Sequence, residues 1–154
     1  FNIMATITPT LSLLSNANTA TVPGPLSVAL SLSATKALSV DEVQSKILSV
    51  STTHQLLWDA STFTDSGTVG ADGAWLYFRN MLSENSTPDL LHDIIVSHTS
   101  ADADNAADAH RLFTLQPGEF AFFPWDCTQD IYVDAMETNA NALECWLFAR
   151  VGTA

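Results

Sequence analysis

Residues 111–125 read R-L-F-T-L-Q-P-G-E-F-A-F-F-P-W, and this stretch decides the fold. Two short apolar runs flank the tetrapeptide Gln116-Pro117-Gly118-Glu119. Proline sets φ at the first central position of a β-turn, and glycine accepts the positive φ that a type II turn requires at the second. The flanks are rich in phenylalanine and tryptophan, which suit a pleated, half-buried surface. The stretch predicts a β-hairpin or a tight strand corner.

Further strands lie on both sides of this turn. Downstream, 131–133 and 142–150 read as the last two strands, with 134–141 between them. Upstream, 74–81 sets Ala74, Leu76 and Phe78 on one face and Trp75, Tyr77 and Arg79 on the other. A polar turn over 83–89, a strand over 91–97 and an acidic loop over 100–109 follow. Nearer the start, Leu26, Val28, Leu30 and Leu32 alternate with Ser27, Ala29, Ser31 and Ser33, a period of two. Edge strands usually carry charge or a bulge, so this small uncharged face is either covered within its own sheet or used in an interface. Residues 36–48 fit strands broken near Asp41–Glu42 or a short helix capped by Asp41, and the strands are preferred. Residues 1–14 read as a strand broken at Pro9, 54–58 as a short apolar stretch, and 65–73 as a glycine-rich turn. About nine or ten short strands without a convincing helix predict an all-β fold, an antiparallel β-sandwich of jelly-roll-like form. One domain over 1–154 is expected, with 1–25 packed on it or extended as an arm.

Hydrophobic residues make up 47% of the 154 and charged residues only 14%, so other subunits or small polar residues must cover much of the surface. Seventeen acidic residues against five basic ones leave a formal net charge of −12. Such a surface repels phosphate backbones and anionic lipids, which argues against nucleic-acid and membrane partners. No apolar run approaches the roughly 20 residues of a membrane-spanning helix. The chain opens Phe1-Asn2-Ile3-Met4, without a basic leader, so the start is trimmed or the numbering begins inside a gene product. Two cysteines, Cys127 and Cys145, do not make a disulfide framework; reduced packing residues are expected, with a single bridge as the alternative.

The late strands are apolar on both sides. Leu143, Cys145 and Leu147 oppose Trp146 and Phe148, and Phe120 and Phe122 oppose Phe123 and Trp125. Such strands must be covered twice, by the core and by a partner or by loops of the same chain. Aromatic residues and arginine are enriched at interface centres. Trp75, Tyr77, Arg79, Phe123, Trp125, Trp146 and Phe148 are therefore the interface candidates.

Chemistry finds less support. The Pro-Gly turn invites comparison with cupins, but no histidine follows Gly118, and no upstream His-x-His appears. His92 and His98 would share a strand face with Cα atoms roughly 20 Å apart, too far to share an ion. The loop from Asp102 to Asp108 starts like a calcium loop, yet Phe113 stands where the bidentate glutamate belongs. No Gly-x-Ser-x-Gly elbow occurs, and His54 and His110 have no recognisable nucleophile partner in sequence. Asp130 and Asp134 are a carboxylate pair that chance supplies in so acidic a chain. The sequon at Asn85 precedes Pro88 and is discounted. No catalytic residue, cofactor or metal ligand is expected.

The stretch from Arg111 to Arg150, with its closing A-L-E-C-W-L-F-A-R, together with the leading Phe1-Asn2-Ile3-Met4, resembles small structural proteins of marine tailed bacteriophages. The likeness is strongest over the last third of the chain and rests on packing residues. It implies a virion component, assembled in the host cytoplasm, such as a capsid decoration or cement protein. It further implies a homotrimer that contacts the major capsid protein or other virion proteins. A tail- or fibre-associated carbohydrate-binding module is the alternative.

Overall fold

The computed structural model describes residues 5–14, 29–33, 38–40, 42–63, 73–82, 92–98, 110–136 and 141–150. The acidic loop over 100–109, the polar turn over 83–89 and most of the glycine-rich turn over 65–73 lie outside them. The chain divides into two compact units, Phe1–Val40 and Asp41–Ala154.

In the first unit, β1 (Ala5–Ile7) pairs antiparallel with β4 (Leu38–Val40), and β2 (Thr10–Leu14) with β3 (Ala29–Ser33). The chain breaks between β1 and β2 at Thr8-Pro9, where proline cannot donate to a ladder. The Ser-rich face of β3 is matched by its neighbour: Ser31 lies opposite Ser12 and Ser33 opposite Thr10.

The second unit contains β5 (Glu42–Val50), β6 (Gln55–Trp58), β7 (Gly73–Asn80), β8 (Ile94–Ser97), β9 (Arg111–Leu115), β10 (Phe120–Trp125), β11 (Ile131–Ala135) and β12 (Asn141–Arg150). After β6 comes a 3-10 turn, Ala60–Thr62, capped by the Asp59 side chain accepting from the Ser61 amide at 2.8 Å. The ladder through 42–50 settles the ambiguous segment as strand. A helix would have buried Val43 and Ile47, whereas both point to solvent.

The pairing is nested. β5 joins β12, β6 joins β11, β7 joins β10 and β8 joins β9, all antiparallel, so the first four strands lie along the last four in reverse. β12 also pairs with β7, and β11 with β8, which completes two four-stranded antiparallel sheets. Their orders are β10-β7-β12-β5 and β6-β11-β8-β9.

One cluster of buried side chains draws on both sheets, with Leu76 and Phe78 of β7, Leu143, Cys145 and Leu147 of β12, Ile94 and Val96 of β8, and Ile131 and Val133 of β11. Phe78 sits at its centre, meeting Trp58 of β6 edge-on at 5.6 Å and Phe113 of β9 at 6.1 Å. Period-two alternation creates this core: along β7 every second residue from Ala74 to Asn80 is buried. Both cysteines are buried and free, so the bridged alternative does not hold.

Residues 111–125 form a corner, not a hairpin. β9 and β10 belong to different sheets, and the Gln116–Glu119 turn carries the chain between them. Gly118 adopts φ 81°, as the Pro-Gly pair predicts, and the Glu119 amide donates to the Gln116 carbonyl at 3.0 Å. The Glu119 carboxylate accepts from the Gln116 amide at 2.8 Å. Asn80, fully buried, ties this corner to β7: its backbone accepts from the Gly118 amide at 3.1 Å and donates to the Glu119 carbonyl at 3.0 Å. Its side-chain amide donates to the carbonyls of His92 at 2.9 Å and Leu115 at 3.2 Å, and its side-chain oxygen accepts from the Leu82 amide at 3.2 Å.

Candidate functional site

The two sheets differ on their outer sides. On the β6-β11-β8-β9 sheet, Ile95, Ser97 and Asp134 are buried although they alternate with core residues. On the β10-β7-β12-β5 sheet the outward residues form three rows across the ladder. The first runs Phe120, Arg79, Glu144, Ile47; the second Phe122, Tyr77, Trp146, Ser45; the third Pro124, Trp75, Phe148, Val43. Phe120 is 62% exposed, Ile47 68%, Val43 50% and Phe122 37%, while Trp75, Tyr77, Trp146 and Phe148 are half-buried.

The rings are ordered. Trp75 stacks on Phe122 with centroids 5.0 Å apart and planes 10° from parallel, and Trp146 stacks on Phe148 at 6.1 Å and 13°. Tyr77 lies against Phe120 at 6.4 Å. The Trp146 indole donates to the Glu144 carboxylate at 3.2 Å. Six aromatic side chains thus share one face with a single cross-strand Arg79–Glu144 position, an unusual patch for a lone chain.

Five of the seven residues expected at an interface stand on this face: Trp75, Tyr77, Arg79, Trp146 and Phe148. Phe123 and Trp125 do not. The register sets Phe123 opposite Leu76 and Trp125 opposite Ala74, both core positions. Phe123 stacks on Phe78 at 5.8 Å, and Trp125 packs edge-on against Phe63 at 5.8 Å while its indole donates to the Gln129 carbonyl at 2.9 Å. Phe120 and Phe122 take their place. Alternation along β10 separates the two pairs, but only the register with β7 says which pair faces out.

The histidines separate into different environments. The His92 ring meets the Asn141 side-chain oxygen at 3.2 Å, whereas the His98 ring packs on His110 at 5.2 Å. Neither lies in the strand, which begins at Ile94 and ends at Ser97, so the shared strand face expected for them does not form. Among the described residues no group of three or more His, Cys, Asp and Glu side chains is placed to hold a metal ion. A shallow hollow of about 540 Å³ at the β9–β10 corner is lined by Phe113, Leu115, Phe120, Ala121 and their neighbours, with Glu119 its one carboxylate.

One polar group escapes any reading of spacing. His54 Nε2 lies 3.1 Å from Ser97 Oγ, and His54 Nδ1 lies 3.7 Å from Asp134 Oδ2. The order of groups is that of a nucleophile, a base and its orienter. Yet Ser97 is 4% exposed and paired on both sides, with Tyr132 of β11 and Arg111 of β9. The three side chains form a buried polar tie between β8, β11 and His54, which precedes β6. The aromatic face is the surface best suited to contact. No protein-family model, curated protein or solved structure matches the chain.

Proposed function

We propose that this chain is a structural protein of a phage particle, a capsid decoration or cement protein that works through surface contacts and catalyses no reaction. The aromatic outer face of the β10-β7-β12-β5 sheet carries the reading. Removing such a face from water stabilises a contact by roughly 25 cal/mol per Å² of apolar area, and many copies on one particle multiply a weak contact into a durable one. The nested strand order supports a jelly-roll sandwich, an architecture shared by viral capsid domains, lectins and cupins. The net charge of −12 favours solubility and disfavours binding to packaged nucleic acid.

The partners in this reading are other copies of the chain and the major capsid protein or another virion subunit. The test is co-sedimentation of the purified protein with heads of its own phage that lack it, together with the heat resistance of the decorated heads. Wild type is expected to bind and to raise the temperature at which heads release their contents, and Phe122→Ala with Trp146→Ala is expected to lose both effects. Failure of wild type to bind any part of the particle overturns the reading.

A second reading, a carbohydrate-binding module of a tail or fibre, is favoured by the parallel Trp75 and Phe122 rings beside Arg79 and Glu144. Flat aromatic rings flanked by polar groups suit the apolar face of a sugar ring. Retention on immobilised oligosaccharide, lost on Trp75→Ala, would select it over cementing.

A further inference from the structure

We infer that the free edge of β5 pairs with β5 of a second copy, antiparallel about a two-fold axis at Ser45. This deepens the reading above, since it rests on a chain that assembles with itself. β5 is the last strand of its sheet, and among the described residues nothing pairs with its other side. Its nine residues, E-V-Q-S-K-I-L-S-V, hold an unbroken register with β12 and contain neither proline nor glycine. Natural edges of this length are normally blunted by proline, a bulge or an inward-pointing charge. Lys46, opposite the core residue Cys145, is such an inward-pointing charge, but it is already engaged. Its ammonium donates to the Leu57 carbonyl at 3.2 Å and lies 5.6 Å from the Trp58 ring centroid, within its own chain.

The sequence of the strand is complementary to itself in one register. Val43 and Ile47, 50% and 68% exposed, lie two positions either side of Ser45 on the outward face. A two-fold axis at Ser45 sets Val43 against Ile47 of the second copy, twice, and Gln44 against Lys46, twice. Moving the axis to Lys46 opposes two like charges, and moving it to Gln44 sets Glu42 against Lys46 but parts Val43 from Ile47. Residues directly opposite in an antiparallel pair contact one another, and an exposed ion pair adds little, so the apolar pairing of Val43 with Ile47 selects the Ser45 register. That register also continues the aromatic face without a break. The row Phe122, Tyr77, Trp146, Ser45 runs on into Ser45, Trp146, Tyr77, Phe122 of the second copy, across an eight-stranded sheet.

Native mass spectrometry and sedimentation of the full chain test the pairing. Wild type is expected at twice the chain mass or an even multiple of it. Val43→Lys with Ile47→Lys opposes like charges and is expected to halve that mass. Val43→Glu with Ile47→Lys opposes unlike charges and is expected to keep the paired mass at low salt. Both pairs sit on exposed positions, so circular dichroism should report an unchanged fold. Ser45→Cys should oxidise to a covalent dimer, whereas Ser49→Cys, four positions from the axis, should not. A wild-type monomer or trimer overturns the pairing, as does equal behaviour of the two double variants. Loss of assembly in both double variants and in Trp146→Ala would show association through the aromatic face alone, overturning the edge contact while leaving the surface reading intact.

Discussion

Trp75 stacks on Phe122 although the ladder sets Trp75 opposite Pro124 and Phe122 opposite Tyr77. The contact is diagonal. Aromatic side chains are long enough to reach a neighbour two positions along the facing strand, and the right-handed twist of the sheet brings such pairs together. The effect is a continuous ring surface across β10 and β7, with Pro124 beside it where an edge strand can forgo a donor.

This contact predicts a measurable coupling. In a double-mutant cycle of Trp75→Ala and Phe122→Ala, the interaction term for folding should be about 1 kcal/mol, the usual worth of an ordered aromatic pair beyond its area. Urea denaturation of the four proteins measures it. A term indistinguishable from zero would mean that the rings are not stacked in solution.

The two sides of β10 should respond differently to truncation. Trp125→Ala opens a cavity beside Phe63 and removes the bond to the Gln129 carbonyl, so a loss of about 3–5 kcal/mol in folding stability is expected. Phe120→Ala removes an exposed ring and should cost less than about 1 kcal/mol. Thermal denaturation separates the two outcomes, and comparable losses would contradict the register of β10 on β7.

Much of the fold is legible in the sequence because alternation is a local property. The faces of β7, the break at Pro9, the preference for strand over helix near Asp41 and the positive φ of Gly118 all follow from residue type and spacing. Sheet membership does not. Nothing local says that β9 and β10 part company at the turn, because a Pro-Gly corner serves a hairpin and a sheet change equally well. The same limit misplaced Phe123 and Trp125, whose side was set by pairing with a strand far upstream, Phe123 lying opposite Leu76. The His54–Ser97–Asp134 group joins three residues far apart in sequence and left no spacing to read.

Asn80 was equally hidden, and it should be the most sensitive polar position in the unit. A lone asparagine at a strand end carries no signal of its own, yet its amide serves the carbonyls of His92 and Leu115 and its oxygen the amide of Leu82. Asn80→Ala leaves those groups without their partner, two of them at the junction of the sheets. A loss of about 3 kcal/mol is expected, since each orphaned buried group costs about 1–3 kcal/mol. Gly118→Ala at the same corner should cost only about 1–2 kcal/mol: its φ of 81° disfavours a side chain, but the nearest atom to an added Cβ is the Leu82 carbonyl oxygen at 3.9 Å. Guanidinium denaturation of both variants checks the order, and Gly118→Ala proving the worse would shift the weight of the corner from Asn80 to the turn.

Cys145 predicts a pH dependence with a definite sign. Burial pushes its thiol up from an ordinary 9.0 to about 12, against the pull of the Lys46 charge and with a smaller push from Glu144. In the unfolded chain the thiol releases its proton near the ordinary value, while the folded chain retains it up to about 12. The folded state therefore binds more protons across that window, and stability must fall as pH rises through it; below about pH 8 the thiol contributes no slope. Cys145→Ala removes the group, so the urea midpoint of wild type should fall more steeply than that of the variant as pH rises above 9.0. The readout is the difference between the two proteins, in which every ionisation they share cancels. Iodoacetamide gives a second check, because only the thiolate reacts: modification of Cys145 should be slow in the native protein at about pH 8 and become fast in denaturant. Rapid native modification, or identical slopes for the two proteins, would place this thiol in water and the inward face of β12 elsewhere.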